Sequence, residues 1–207
     1  VGVVQKELGK ELAGGICWTL NTAYTPSELE YFLTDAKPLI FVCDPKKFAV
    51  LEVLADQTGV GKVFTLSADG LGSLIDALPI HTHSFKEVAR CKDDLAAFLY
   101  TSGTTGRSKG AMLTHDNLVS NAQSLCQCWH FDNTDVLIHA LPLFHIHGLF
   151  VATNVTLSAG SSMIFMPRFD SEIIISLMSR ATVLMGVPTF YVRLLESANL
   201  CAATVAP

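Results

Sequence analysis

From Ser27 onward, short apolar runs alternate with stretches whose apolar residues recur every three to four positions. Leu29, Phe32 and Leu33, with Pro26 ahead of them, predict a helix over 27–35. The run Leu39–Cys43, stopped by Asp44 and Pro45, predicts a buried strand. A second helix follows over 46–57, with Phe48, Leu51, Val53 and Leu54 as its apolar content, and then a short strand over 63–66. Residues 67–84 hold glycines, a proline and two histidines without a period, which predicts mostly loop. Beyond them come a strand over 95–101, an extended piece over 111–113 and a helix over 116–128 capped by Thr114, with Leu118, Ala122 and Leu125 on one face. The pattern continues with a strand over 136–140, an apolar helix over 148–157 closed near Gly160, a strand over 163–166, a helix over 172–179, a strand over 182–185 and a helix over 189–197 after Pro188. Strands alternating with helices predict an α/β fold, with β-sheet layers covered by helices on both faces.

Composition narrows the partners. Hydrophobic residues make up 50% of the 207 positions and charged ones 16%, a balance that supports a packed core and excludes a disordered chain. The net charge of −5 argues against a nucleic-acid surface, which needs clustered Lys and Arg. The most apolar long stretch, 148–166, is broken by Thr153, Asn154, Thr156, Ser158 and Gly160, so no membrane span is expected. Cysteines stand at 17, 43, 91, 126, 128 and 201 without a CxxC pair. They read as reduced, mostly buried thiols of an intracellular, cytoplasmic protein. The chain opens on Val1, so organelle targeting is not readable from it.

The candidate chemistry lies in Tyr100–Gly110, Tyr-Thr-Ser-Gly-Thr-Thr-Gly-Arg-Ser-Lys-Gly. Gly103, Gly106 and Gly110 let a chain turn tightly and let backbone N–H groups approach a ligand. Thr101, Ser102, Thr104 and Thr105 present hydroxyls, and Lys109 adds a point charge suited to phosphate. A strand feeding such a loop is the arrangement expected of an anion cradle, the alternative being a Thr/Ser-rich solvated turn. It is not a Walker A loop, because Ser108 stands where that pattern needs its second glycine.

The same run closely resembles the signature loop of the adenylate-forming superfamily, which includes acyl-CoA synthetases, luciferases and peptide-synthetase adenylation domains. Most members have Pro where this chain has Ser108. The segment from Asp135 to Leu149, with Leu141-Pro142-Leu143-Phe144-His145-Ile146-His147, resembles the second signature region, which lines the acyl pocket. Arg180–Tyr191 resembles the strand and Val-Pro turn beyond it. With Asn21–Thr25 and the Gly-Arg-Ser-Lys-Gly of the loop, these resemble malonyl-CoA synthetases in particular. The resemblance implies an ATP-dependent acid–thiol ligase in which a carboxylate attacks ATP and coenzyme A displaces AMP from the acyl adenylate. Another short or medium carboxylate, or a non-catalytic nucleotide-binding piece, stands as the alternative.

The resemblance also implies roles. Thr101, Ser102, Gly103, Thr104, Thr105, Gly106 and Lys109 would hold the phosphates of ATP, with Mg²⁺ bridging them from the ligand side. His145 would sit at the reacting carboxylate and α-phosphate as the catalytic side chain. A dicarboxylate brings a second charge that needs a cation, and Arg193 is the candidate because guanidinium binds carboxylate bidentately. Its alternative is a solvated helix-face residue. His147 either lines the pocket or packs at a helix start. The HxH and CxC pairs match no zinc spacing, so no resident metal is expected. Complete members also carry a Tyr-Gly-x-Thr-Glu turn, a Thr-Gly-Asp segment and a small C-terminal domain with a catalytic lysine. On that comparison the chain is expected to be part of the large N-terminal domain and to be inactive by itself.

Overall fold

The computed structural model describes residues 14–78, 86–101 and 108–205. They fall into two units: residues 20–86, and the residues up to Thr19 together with those from Glu87 onward. The first strand, β1 (Cys17–Trp18), belongs to the second of these.

In the 20–86 unit, helix α1 (Pro26–Ala36) starts at a capping box. The Thr25 backbone N–H donates to the Glu28 carboxylate at 2.8 Å, and the Thr25 hydroxyl accepts from the Glu28 N–H. Proline at the first helical position loses no hydrogen bond there. The face bearing Leu29, Phe32 and Leu33 is buried, as its spacing predicts. Strand β2 (Ile40–Cys43) pairs in parallel with β3 (Lys62–Thr65), and helix α2 (Phe48–Gln57) connects them after a 3₁₀ turn at Pro45–Lys47. The expectation of a buried strand fails at its start, since Leu39 is 84% exposed and only Cys43 is buried. A two-stranded sheet covers little of its own edge, so apolar residues there stay in solvent. On α2 the buried residues are Leu51, Leu54 and Ala55, while Val53 points outward. The region read as loop contains one helical turn, α3 (Ser73–Asp76); His81 and His83 lie outside the described residues.

The other unit holds two sheets. In the first, β1 lies parallel to β4 (Leu95–Thr101), and β4 pairs antiparallel with β5 (Lys109–Thr114). The short extended piece expected over 111–113 is thus a full hairpin arm. Thr114 caps α4 (His115–Trp129) through a reciprocal bond with Asn117, and Leu118 and Ala122 are buried. In the second sheet, β6 (Val136–His139) is central, flanked in parallel by β7 (Ser162–Phe165) and β8 (Val183–Leu184). The apolar segment expected as one helix over 148–157 is a π-helix at His147–Thr153 followed by α5 (Asn154–Ala159). Helices α6 (Ser171–Leu177) and α7 (Pro188–Leu195) pack with Ile138, Ala140 and Met166 in one core. A last turn, α8, spans Ala202–Val205. The mixed α/β class therefore stands, with three small sheets among the described residues.

The cysteine expectation is corrected. Cys17 and Cys43 are buried, but Cys91, Cys128 and Cys201 are exposed, and all six are free. Cys128 sits on the solvent side of α4, two positions past Cys126, whose thiol faces the Val155 carbonyl at 3.5 Å. Among the described residues no helix is long and apolar enough to cross a membrane.

Candidate active site

The β4–β5 hairpin brings two predicted phosphate-site residues face to face. Thr101 ends β4, Lys109 begins β5, and the two are cross-strand partners. The Thr101 hydroxyl donates to the Lys109 carbonyl at 3.4 Å, and both side chains are exposed at the hairpin mouth. Ser102, Gly103, Thr104, Thr105 and Gly106 lie outside the described residues. Gly110 has a different reason from the expected ligand approach. It pairs with Tyr100 inside the ladder, and a Cβ there would overlap the Phe98 ring. That ring belongs to an aromatic group under the mouth: Phe98 meets Tyr100 edge-on with centroids 5.0 Å apart, and Trp18 packs 5.7 Å from Tyr100. Edge-on and tilted ring contacts of this kind hold the hairpin end in place.

The second element leaves the carboxyl end of β6, where open α/β sheets present their ligand sites. Residues 140–146 run out from the strand and return as the π-helix. His145 is exposed, with its ring centroid 4.5 Å from that of Phe144. Its backbone N–H donates to the Pro142 carbonyl at 3.3 Å and its own carbonyl accepts from Leu149 at 3.0 Å. His147 opens the π-helix and is half-buried. The Thr19 hydroxyl reaches the Phe144 carbonyl at 3.5 Å. Thr19 directly follows β1, which runs parallel to β4, so His145 and the hairpin mouth lie at the same end of the first sheet.

Arg193 follows the carboxyl end of the neighbouring parallel strand β8, on α7. It is exposed, and its guanidinium carbon stands 5.9 Å from the centroid of Phe169, which itself stacks on Phe190 at 4.1 Å. A cation–π contact of this kind restrains the guanidinium while leaving its donors open. The segments that follow β6, β7 and β8 carry, in turn, His145 and His147, Phe169, and, on α7, Arg193. Among the described residues no three His, Cys, Asp or Glu side chains gather as a metal site.

One buried residue of this region was given no role by the sequence. His139 ends β6, is 1% exposed, and points at the π-helix. Its Nε2 lies 2.8 Å from the Gly148 carbonyl, and burial pushes its pKa down, so the ring stays neutral. A histidine closing an apolar strand was the available signal.

Comparison with known proteins gives the family of the chain. A family model for AMP-binding enzymes matches residues 7–206. The mitochondrial malonate–CoA ligase ACSF3 of Mus musculus is 31% identical over 201 residues, covering 95% of this chain and 34% of that protein. A malonate–CoA ligase of Arabidopsis thaliana is 29% identical over 204 residues, covering 91% of this chain and 33% of that protein. The chain spans about a third of the length of these curated relatives. The crystal structure of ATP-bound MatB from Rhodopseudomonas palustris superposes with a TM-score of 0.93 at 57% identity, covering 98% of this chain and 40% of that one.

Proposed function

The chain belongs to the AMP-binding enzymes, and on that premise we propose that its whole protein activates malonate with ATP and passes it to coenzyme A. The observation that carries the reading is Arg193: an exposed guanidinium, steadied on Phe169, on the helix that follows β8, the parallel neighbour of the strand that leads to His145. The likeness to malonate–CoA ligases and to an ATP-bound structure supports it.

In the reaction a malonate carboxylate oxygen attacks the α-phosphorus of ATP, and the bond to pyrophosphate breaks. The thiolate of coenzyme A then attacks the acyl carbon, and AMP leaves. A carboxylate is already a nucleophile, so the protein's task is to hold two anions together and offset their repulsion. Lys109 and the loop of Thr101, Ser102, Gly103, Thr104, Thr105 and Gly106 hold the phosphates. His145 donates toward the oxygens where the carboxylate meets the α-phosphate, with His147 lining the pocket behind it. Arg193 pairs with the distal carboxylate, whose burial without a cation would be costly. The loop offers hydroxyls and a lysine but no carboxylate, a donor set that fits Mg²⁺ carried on the phosphates of ATP. When bound, the ion neutralises phosphate charge. Within the whole protein, these residues form part of the large adenylate-forming domain.

Thioester formation by the whole protein with malonate, methylmalonate, acetate and a cinnamate tests the substrate class. Malonate is expected to give the highest kcat/KM. A clear preference for a monocarboxylate would remove the dicarboxylate claim and leave adenylation standing.

A further inference from the structure

Nine residues past the end of β6, the chain comes back against itself. Gly148 lies so close to the start of the excursion that a Cβ on it would overlap the Pro142 carbonyl oxygen and touch Leu141. The Gly148 carbonyl is turned toward the strand end and receives two donors. One is His139 Nε2 at 2.8 Å, and the other is the Thr153 hydroxyl at 3.0 Å. The hydroxyl oxygen is also 3.3 Å from His139 Nε2, so the three groups form one buried cluster. A carbonyl can only accept, so the proton of this imidazole sits on Nε2. Nδ1 makes no hydrogen bond of good geometry among the described residues. Thr153 reaches back five residues to Gly148, one more than an α-turn spans, and this is the spacing of the π-helix that holds both.

We propose that His139 is a positioning residue for the site: with Thr153 it clasps the Gly148 carbonyl and so fixes the loop 142–148 that presents His145 and His147. His139 ends the central strand of its sheet and is buried against Phe165 at 5.0 Å, so one end of the clasp is anchored in rigid structure. Opening it would strand a buried carbonyl and let His145 drift, and misplacement by about 1 Å can cost about 10²-fold in rate.

The test rests on the malonate-activating reading for its kinetic arm, and uses the whole protein. His139→Leu removes the donor, His139→Gln keeps an N–H near Nε2, and Thr153→Val removes the second donor at nearly the same shape. With rates normalised to folded protein, His139→Leu is expected to lose about 10²-fold in kcat for malonate-dependent adenylation. The KM for ATP should change little, His139→Gln should recover most of the rate, and Thr153→Val should lose less than His139→Leu. Wild-type kcat in both His139→Leu and Thr153→Val, or no recovery in His139→Gln, overturns the proposal. An independent arm reads imidazole resonances: a neutral His139 with its proton on Nε2, and His145 signals that shift in Thr153→Val. If the wild type activates no carboxylate but these signals behave as expected, the proposed reaction falls and the clasp stands. A proton on Nδ1, or unmoved His145 signals, removes the clasp itself.

Discussion

Lys109→Ala is expected to slow adenylate formation in the whole protein by about 10²–10³-fold, the usual cost of removing one donor aimed at developing charge. The size of the effect follows from where the lysine stands. It opens β5 directly opposite Thr101, at the end of a hairpin whose ladder and aromatic packing leave its backbone fixed. The side chain is exposed, so its removal deletes a cation without opening a cavity. The thermal melt should therefore stay at the wild-type midpoint while exchange of pyrophosphate into ATP collapses. Replacing Thr104 and Thr105 together by Ala is expected to act in the same direction. Exchange at the wild-type rate in Lys109→Ala would remove the lysine from the phosphate site.

The second large effect is a change in substrate preference. Arg193→Leu should lower kcat/KM for malonate by at least about 30-fold, the lower end of the roughly 2–5 kcal/mol cost of truncating one partner of a desolvated charge pair. The loss should fall mainly on KM, because the distal carboxylate is bound equally in ground and transition states. Acetate, which has no second carboxylate, should lose little or gain. Arg193→Lys should fall between, since an ammonium keeps the charge but not the paired donors. Arg193 projects from α7 into solvent, whereas the buried side chain of that helix is Leu194, so none of these variants should unfold the protein. Equal losses for malonate and acetate would show that Arg193 supports the site without reading the second charge.

Much of this fold is local chemistry, and that part was legible. The cap at Thr114, read from the sequence, depends on a residue three positions away; the Thr25 cap of the first helix is just as local but was not singled out there. The β6 strand is an apolar run of the right length. What the sequence could not show depends on partners far along the chain. The π-helix of 147–153 is tied to His139, nine residues before the carbonyl it binds, and no periodicity records that bond. Gly110 looked like part of the phosphate loop, but the Phe98 ring twelve residues earlier is what leaves no room for a side chain. Leu39 and Ile40 read as core because they are apolar, whereas their exposure is set by a two-stranded sheet. At the candidate site the sequence named His145, His147, Arg193, Thr101 and Lys109. It did not name Phe169 as the platform under Arg193, because that contact joins two different strand ends.

Exchange of labelled pyrophosphate into ATP by the whole protein measures carboxylate-dependent adenylation directly, without coenzyme A. The expected result is exchange that requires malonate, saturates with it, and disappears when malonate is left out. Binding of ATP with no exchange in the presence of malonate or any other carboxylate would contradict it, and would make the phosphate loop a nucleotide-binding element without chemistry.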